Sequence, residues 1–370
     1  MNMVSRSSRM RRARMLAPVA LAALVLGACS SGSDQSGADT TTKPQASADA
    51  PSSADIKALS VSLSGGGASF PDSFYQAANA DFNEIAGTER VTYSKSGSSD
   101  GRSQLASGTL DFAGSDSLPK PTEDFGGTLL FFPTVAAPIT VSYNLPEVDD
   151  LQLSPDVIAG IFQAEITKWD DPKIAADNPD ITLPSTQISV VHRSDGSGTT
   201  NNFTKYLTAA SPNVWKLGSG DEVSWPAATQ GQEKNSGVAE VVKQTKGAVG
   251  YVDLADAGKA GLSFAKIQNS SGEYVNPSAK GVQASLDGAE VADDLTYNPL
   301  NADAPGAYPI TAPTWLLAIA EQSDPVKAET LRTYLRYVLT TGQTEAASTG
   351  YVALPESLAK RAIEQIDRIG

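Results

Sequence analysis

From Leu59 onward, short β-rich runs alternate with stretches of helical spacing, and this alternation restricts the chain to α/β architectures. Strands are expected at 91–93, 129–132, 139–143, 188–191, 248–252 and 315–319. Phe74, Ala78, Phe82 and Ile85 share a helical face closed by Gly87, and Phe203, Tyr206 and Leu207 share another. Two more helices are expected near the C-terminus, over 324–339 and 355–369. Strands interleaved with helices predict parallel sheets. With 370 residues, 40% of them hydrophobic, the chain exceeds one comfortable core, so two compact lobes are expected.

The first 28 residues hold five arginines (Arg6, Arg9, Arg11, Arg12, Arg14) and no acid, and the apolar run 15–26 follows them. That order marks a secretory signal, and 12 residues fall well short of the roughly 20 of a membrane-spanning helix. The run ends in Leu26-Gly27-Ala28-Cys29, which looks like the lipobox of bacterial lipoproteins. Cys29, the only cysteine, would become the lipidated, palmitate-bearing first residue of the mature chain. Residues 30–58 are mostly Ser, Thr, Ala, Gly, Asp and Gln, with Ile56 as the one large apolar side chain. Such a stretch cannot offset the entropy of folding. The expected organisation is therefore a lipoprotein signal peptide at 1–28, then a lipidated cysteine and disordered tether at 29–58. The protein should sit lipid-anchored on the outer face of the cytoplasmic membrane.

Removing the leader takes away five positive charges and no negative ones, moving the net charge from −14 to −19. An acidic chain is a poor nucleic-acid binder, because that affinity comes from Lys and Arg neutralising phosphates. One cysteine excludes an internal disulfide, and one cysteine with one histidine excludes the usual Cys/His zinc sites. No metal or other cofactor is expected.

Three segments rich in glycine and serine stand at the starts of expected helices. They are GGGASFP over 65–71, SGSSDG over 96–101, and RSDGSGTT over 193–200, the last two directly after expected strands. Helix N-termini present free N–H groups and partial positive charge, and Ser and Thr add hydroxyl donors. Each loop alone also reads as ordinary capping. Three together, one of them carrying Arg193, point to a shared oxyanion site. Neither nucleotide-binding loop is present: Phe70 stands where a third glycine is required, and Gly258-Lys259 lacks the upstream glycine of a P-loop. The anion is expected to be small and free.

These residues resemble the substrate-binding lipoprotein of the high-affinity bacterial phosphate ABC transporter. The matching stretches are GGGASFPDSFY (65–75), LDFAGSDSL (110–118), IFQAEITKWDDP (161–172), VVHRSDGSGTT (190–200) and GAVGYV (247–252). The likeness runs from about Leu59 to the C-terminus and is weaker over 258–304. It implies a type II periplasmic-binding-protein-like fold: lobe 1 from 59–136 with 312–370, lobe 2 from 137–311, joined by two crossovers around a ligand cleft. It implies a monomeric receptor that takes phosphate, or arsenate as its analogue, and hands it to permease subunits. Carried over residue by residue, Ser69 binds phosphate through hydroxyl and N–H with the Phe70 N–H beside it, and Ser98 does the same from the second loop. Ser197, Gly198 and Thr199 donate from the third helix start, Arg193 supplies the positive charge, and Asp195 orients Arg193. Asp116 accepts the proton of a phosphate oxygen.

Asp100 stands where relatives carry a small residue, and is expected to face solvent or cap its helix. His192, by strand alternation, should face away from the ligand. Trp169-Asp170-Asp171-Pro172 reads as a turn or helix boundary. Two other classes of function remain open to test. GSSDG over 97–101 fits the G-x-S-x-G pattern of a secreted serine hydrolase, with Ser99 as nucleophile and His192 as base, although that fold places its histidine late in the chain. An adhesin or purely structural lipoprotein would bind no small ligand.

Overall fold

In a computed structural model, the expected strands at 129–132 and 139–143 are one strand, Leu129–Tyr143, and it organises the molecule. The model describes residues 49–370, so the expected leader, Cys29 and most of the expected tether lie outside the described residues. Proline donates no N–H to a ladder, which is why the sequence reads as two pieces. Here both prolines fall where the ladder is already interrupted. Pro133 lies opposite a register shift between Thr314 and Trp315, and Pro138 is the last residue paired with Thr311–Ile319. From Ile139 the strand pairs instead with Ala248–Asp253.

The ten-stranded sheet runs in the order Val91–Lys95, Leu63–Gly67, Phe112–Ser115, Thr311–Ile319, Leu129–Tyr143, Ala248–Asp253, Ser189–Arg193, Gln230–Gln232, and two short strands pair with Leu129–Tyr143. Its two ends are parallel. Its middle is antiparallel, so the sheet is mixed and not wholly parallel as expected. Parallel neighbours need a helical crossover between them, whereas this chain passes from one lobe to the other along the strands themselves. The two passages touch: the Ile139 N–H donates to the Ile310 carbonyl at 2.8 Å.

Each lobe has an aromatic centre. In lobe 1 the helices Asp72–Ala86 and Pro325–Leu339 bring Phe82 within 5.5 Å of Tyr334 and 5.1 Å of Tyr337, and Phe112 meets Tyr334 at 5.1 Å. In lobe 2 Phe203 stacks on Tyr251 at 4.4 Å and meets Phe162 at 4.7 Å. Each such ring contributes about 1.5–3 kcal/mol by its burial. The end of the expected tether is ordered as well. Ser52 and Asp55 form a capping box opening the helix Ser53–Ala58, and Ile56 is buried in the main core. One apolar residue suffices because the helix docks on a core that already exists.

Candidate functional site

All three glycine/serine loops leave the C-terminal ends of parallel strands and open helices, Asp72–Ala86, Ser98–Ala106 and Gly198–Ala210. Ligands of open α/β sheets gather at that edge. The loops of the two lobes meet there. Ser98 Oγ accepts from the N–H of Gly198 across the lobes at 3.1 Å and from that of Asp116 at 3.3 Å. Ser99 N–H donates to the Gly196 carbonyl at 3.2 Å, and Ser69 Oγ accepts from the Asn235 N–H at 3.3 Å. Two glycines allow this approach. Gly97 has φ +105°, and a Cβ on Gly198 would stand 2.6 Å from Ser98 Oγ and 2.7 Å from Asp116 Cβ.

The hydroxyls of the site share one arrangement. Ser197 Oγ accepts from the Thr200 N–H at 3.1 Å, capping its helix, and Thr199 Oγ1 accepts from Asn235 Nδ2 at 3.2 Å. Ser69, Ser98, Ser197 and Thr199 are all buried, and each accepts from the protein. None of the four donates its own hydrogen to another described residue. A hydroxyl that accepts still has one hydrogen to give. The fold thus collects four unspent O–H donors out of bulk water.

Arg193 ends its strand beneath them. Its Nε donates to Asp195 Oδ1 at 2.6 Å, Nη2 donates to Asp195 Oδ2, and Nη1 donates to Asn235 Oδ1 at 2.6 Å. Of five guanidinium hydrogens, two remain. Burial pushes the Asp195 carboxyl up, but the hydrogen bonds and charge of Arg193 outweigh it and hold the group below its ordinary value. Asp116 differs. Its Oδ1 accepts from Thr314 Oγ1 at 2.8 Å, and complete burial, only partly opposed by Thr314 and Arg193, pushes its pKa up to about 7. Here is one carboxyl that can hold or release a proton near neutrality, set among groups that still have hydrogens to donate. Phe70 is fully buried, its ring meeting Tyr351 edge-on at 6.0 Å.

A family model of the PBP superfamily domain matches residues 35–341. The phosphate-binding protein PstS of Xylella fastidiosa (strain Temecula1 / ATCC 700964) is 35% identical over 328 residues, 87% of this chain and 89% of that protein. The chain belongs to the phosphate-binding proteins of the PBP superfamily. PstS of Methanocaldococcus jannaschii is also 35% identical, over 334 residues that cover 82% of this chain and 85% of that one. A phosphate-binding protein from Stenotrophomonas maltophilia has the same fold, with TM-score 0.67 at 19% identity, covering 82% of this chain and 94% of its own.

For this PBP-superfamily chain the serine-hydrolase reading fails. The Ser99 hydroxyl donates to Asp221 Oδ2 at 2.7 Å. The His192 ring lies stacked on Trp225, its Nδ1–H donating to the Arg193 carbonyl at 2.9 Å, and burial lowers its pKa. Nucleophile and base are not paired. Asp100 is exposed and accepts from Gln104 Nε2 at 2.6 Å. Asp171 caps the helix Pro172–Asp177, while Trp169 is buried with its Nε1–H on the Gly247 carbonyl at 3.0 Å. Cys29 lies outside the described residues.

Two site residues were missed from the sequence. Asn235 is fully buried and joins Arg193, Thr199 and Ser69; its Nδ2 also donates to Asp253 at 2.8 Å. It opens the helix Lys234–Gln244 after the strand Gln230–Gln232, a fourth strand-loop-helix unit. That strand is Gln-Gly-Gln, without an apolar residue to reveal it. Thr314 lies inside a strand with no local signal at all.

Proposed function

We propose that this chain is an extracytoplasmic receptor that captures inorganic phosphate and delivers it to the permease of an ABC transporter. The observation that carries the reading is the set of four buried hydroxyls with unspent hydrogens around one carboxyl poised near neutral pH. Phosphate offers four oxygens and, near neutrality, at least one proton. Ser69, Ser98, Ser197 and Thr199 would donate to the oxygens together with the Phe70 N–H, and the Gly198 N–H, which donates to Ser98 Oγ, would hold that hydroxyl in place. Arg193 would balance the charge with Asp195 fixing its direction, and Asp116 would take the proton. Hydrogen bonds to a charged group contribute about 1.5–3 kcal/mol each, so a few in net surplus cover the roughly 8 kcal/mol of a micromolar site.

No group here is asked to make or break a covalent bond, so the protein binds and releases without catalysis. The lobes 59–136 with 312–370, and 137–311, would open and close about the paired passages near Ile139 and Ile310. Residues 1–28 would direct export, and a lipidated Cys29 would hold the receptor, as a monomer, at the outer face of the cytoplasmic membrane.

Titration calorimetry of protein stripped of ligand tests the reading. Phosphate and arsenate should give heat at pH 8, and sulfate, molybdate and citrate should not. No heat with phosphate, or equal affinity for sulfate, would sink it.

A further inference from the structure

Arg102 and Asp221 lie on opposite lobes and touch directly, yet neither offers a hydrogen bond to the proposed ligand. Arg102 belongs to the lobe 1 helix Ser98–Ala106, and Asp221 to the lobe 2 segment beyond Gly198–Ala210. Their side chains are 1% and 3% exposed. Arg102 Nη2 donates to Asp221 Oδ2 at 2.7 Å, the oxygen that also accepts from Ser99 Oγ at 2.7 Å, again across the lobes. Asp221 Oδ1 accepts from Asn201 Nδ2 at 2.8 Å. The remaining hydrogens of Arg102 stay within lobe 1: Nε and Nη2 reach Glu123 at 2.7 and 3.0 Å, and Nη1 reaches the hydroxyls of Ser115 at 3.0 Å and Ser117 at 2.8 Å. All five N–H groups are used, so this guanidinium is not a ligand.

We propose that the Arg102–Asp221 pair is a latch between the lobes that sets how long phosphate is held. This rests on the phosphate reading of the adjacent site. The partners are suited to reversible closure. When the lobes part, Arg102 keeps Glu123 and is not left as a lone buried cation, while Asp221 keeps Asn201 and regains water. A buried pair gives little net stability over its solvated parts, so the latch favours closure without locking it. The charge of Arg102, with its hydrogen bond, holds the Asp221 carboxyl below its ordinary value against the upward push of burial. Apparent affinity scales with the population of the binding-competent form, so a weaker latch should act mainly on the dissociation rate.

The test is a double-variant cycle on the dissociation rate of phosphate, using Asp221→Asn, Arg102→Gln and both together, with thermal melts to confirm folding. Asp221→Asn should release phosphate about tenfold faster or more. The double variant should be little worse than the worse single one, since the two changes remove the same contact. Effects that simply multiply, or an unchanged rate in Asp221→Asn, would overturn the latch. Should Arg102→Gln not fold, Ser99→Ala takes its place, because its hydroxyl reaches the same carboxylate oxygen from the same lobe. Should the wild type bind no phosphate, the site reading falls and small-angle scattering of ligand-free protein decides the latch alone. A larger radius of gyration for Asp221→Asn then supports it, and equal radii overturn it.

Discussion

On the proposed reading Asp116 would carry the burden of telling phosphate from sulfate, since the two anions have nearly the same size and differ in whether they hold a proton near neutral pH. As a carboxylate it can accept that proton, whereas against sulfate it meets a bare oxygen. With its pKa pushed up to about 7 by burial, the group becomes a donor in more acid solution. Sulfate binding should therefore take up one proton, falling about tenfold per pH unit above neutrality and levelling below it. Calorimetry with sulfate from pH 5.5 to 8.5 reads this directly, and a flat profile would count against Asp116 as selector. Asp116→Asn, which can donate as well as accept, should admit sulfate at pH 8. The raised pKa also bears on folding. Between about pH 4 and 7 the native state holds a proton that the unfolded chain has released, so wild-type stability is lost as pH rises through that window, by of order 1–4 kcal/mol. Asp116→Asn should escape this loss and, without ligand, melt above wild type at pH 8. Arg193→Ala strands Asp195 and removes the one full positive charge, so phosphate should bind more than about thirtyfold more weakly. An unchanged calorimetric affinity would take Arg193 out of the site.

The helix starts were the legible elements. Gly198 follows the capping serine of its helix, and the family resemblance marked that position as a donor to the ligand. The structure adds that the other lobe approaches it too. Gly198→Ala would drive a Cβ into Ser98 Oγ and Asp116 Cβ, so the lobes should fail to seat fully. Phosphate binding should weaken by about tenfold or more, with little change in melting of the ligand-free protein, and a retained affinity would show that the contact yields cheaply. The strand pattern was less legible where sequence rules conflict with tertiary placement. Pro133 and Pro138 split one strand into two apparent pieces, the polar Gln230–Gln232 left Asn235 without a visible strand before it, and Ile56 looked too isolated to order its segment until lobe 1 was there to receive it. Thr314 could not be read at all, because a strand residue's partner two hundred positions away is a property of sheet order.

At the scale of the whole molecule the net charge of −19 over residues 29–370 looks unsuited to an anion receptor. Charges beyond a Debye length of about 8 Å are largely screened, while the donors of the cleft act at hydrogen-bond range. Closure should show in solution scattering as a smaller radius of gyration with phosphate bound, and superimposable profiles would argue for a rigid pocket. Anchoring is tested separately. Cys29→Ser should leave the protein unlipidated, either uncleaved or released, and a wild type found only as a lipid-free soluble form would count against the anchor. The sheet order has a further consequence for how the protein is made. Thr311–Ile319 lies between Phe112–Ser115 and Leu129–Tyr143, so the first three strands of lobe 1 cannot be joined to the rest of their sheet until the ribosome has nearly finished. Lobe 2, taken as the continuous stretch 137–311, ends where Thr311–Ile319 begins, so all of it would be made while lobe 1 waits. While residues 137–311 are being made the chain therefore carries an unfinished lobe 1 with an open sheet edge, and that edge is what a holding chaperone would have to cover.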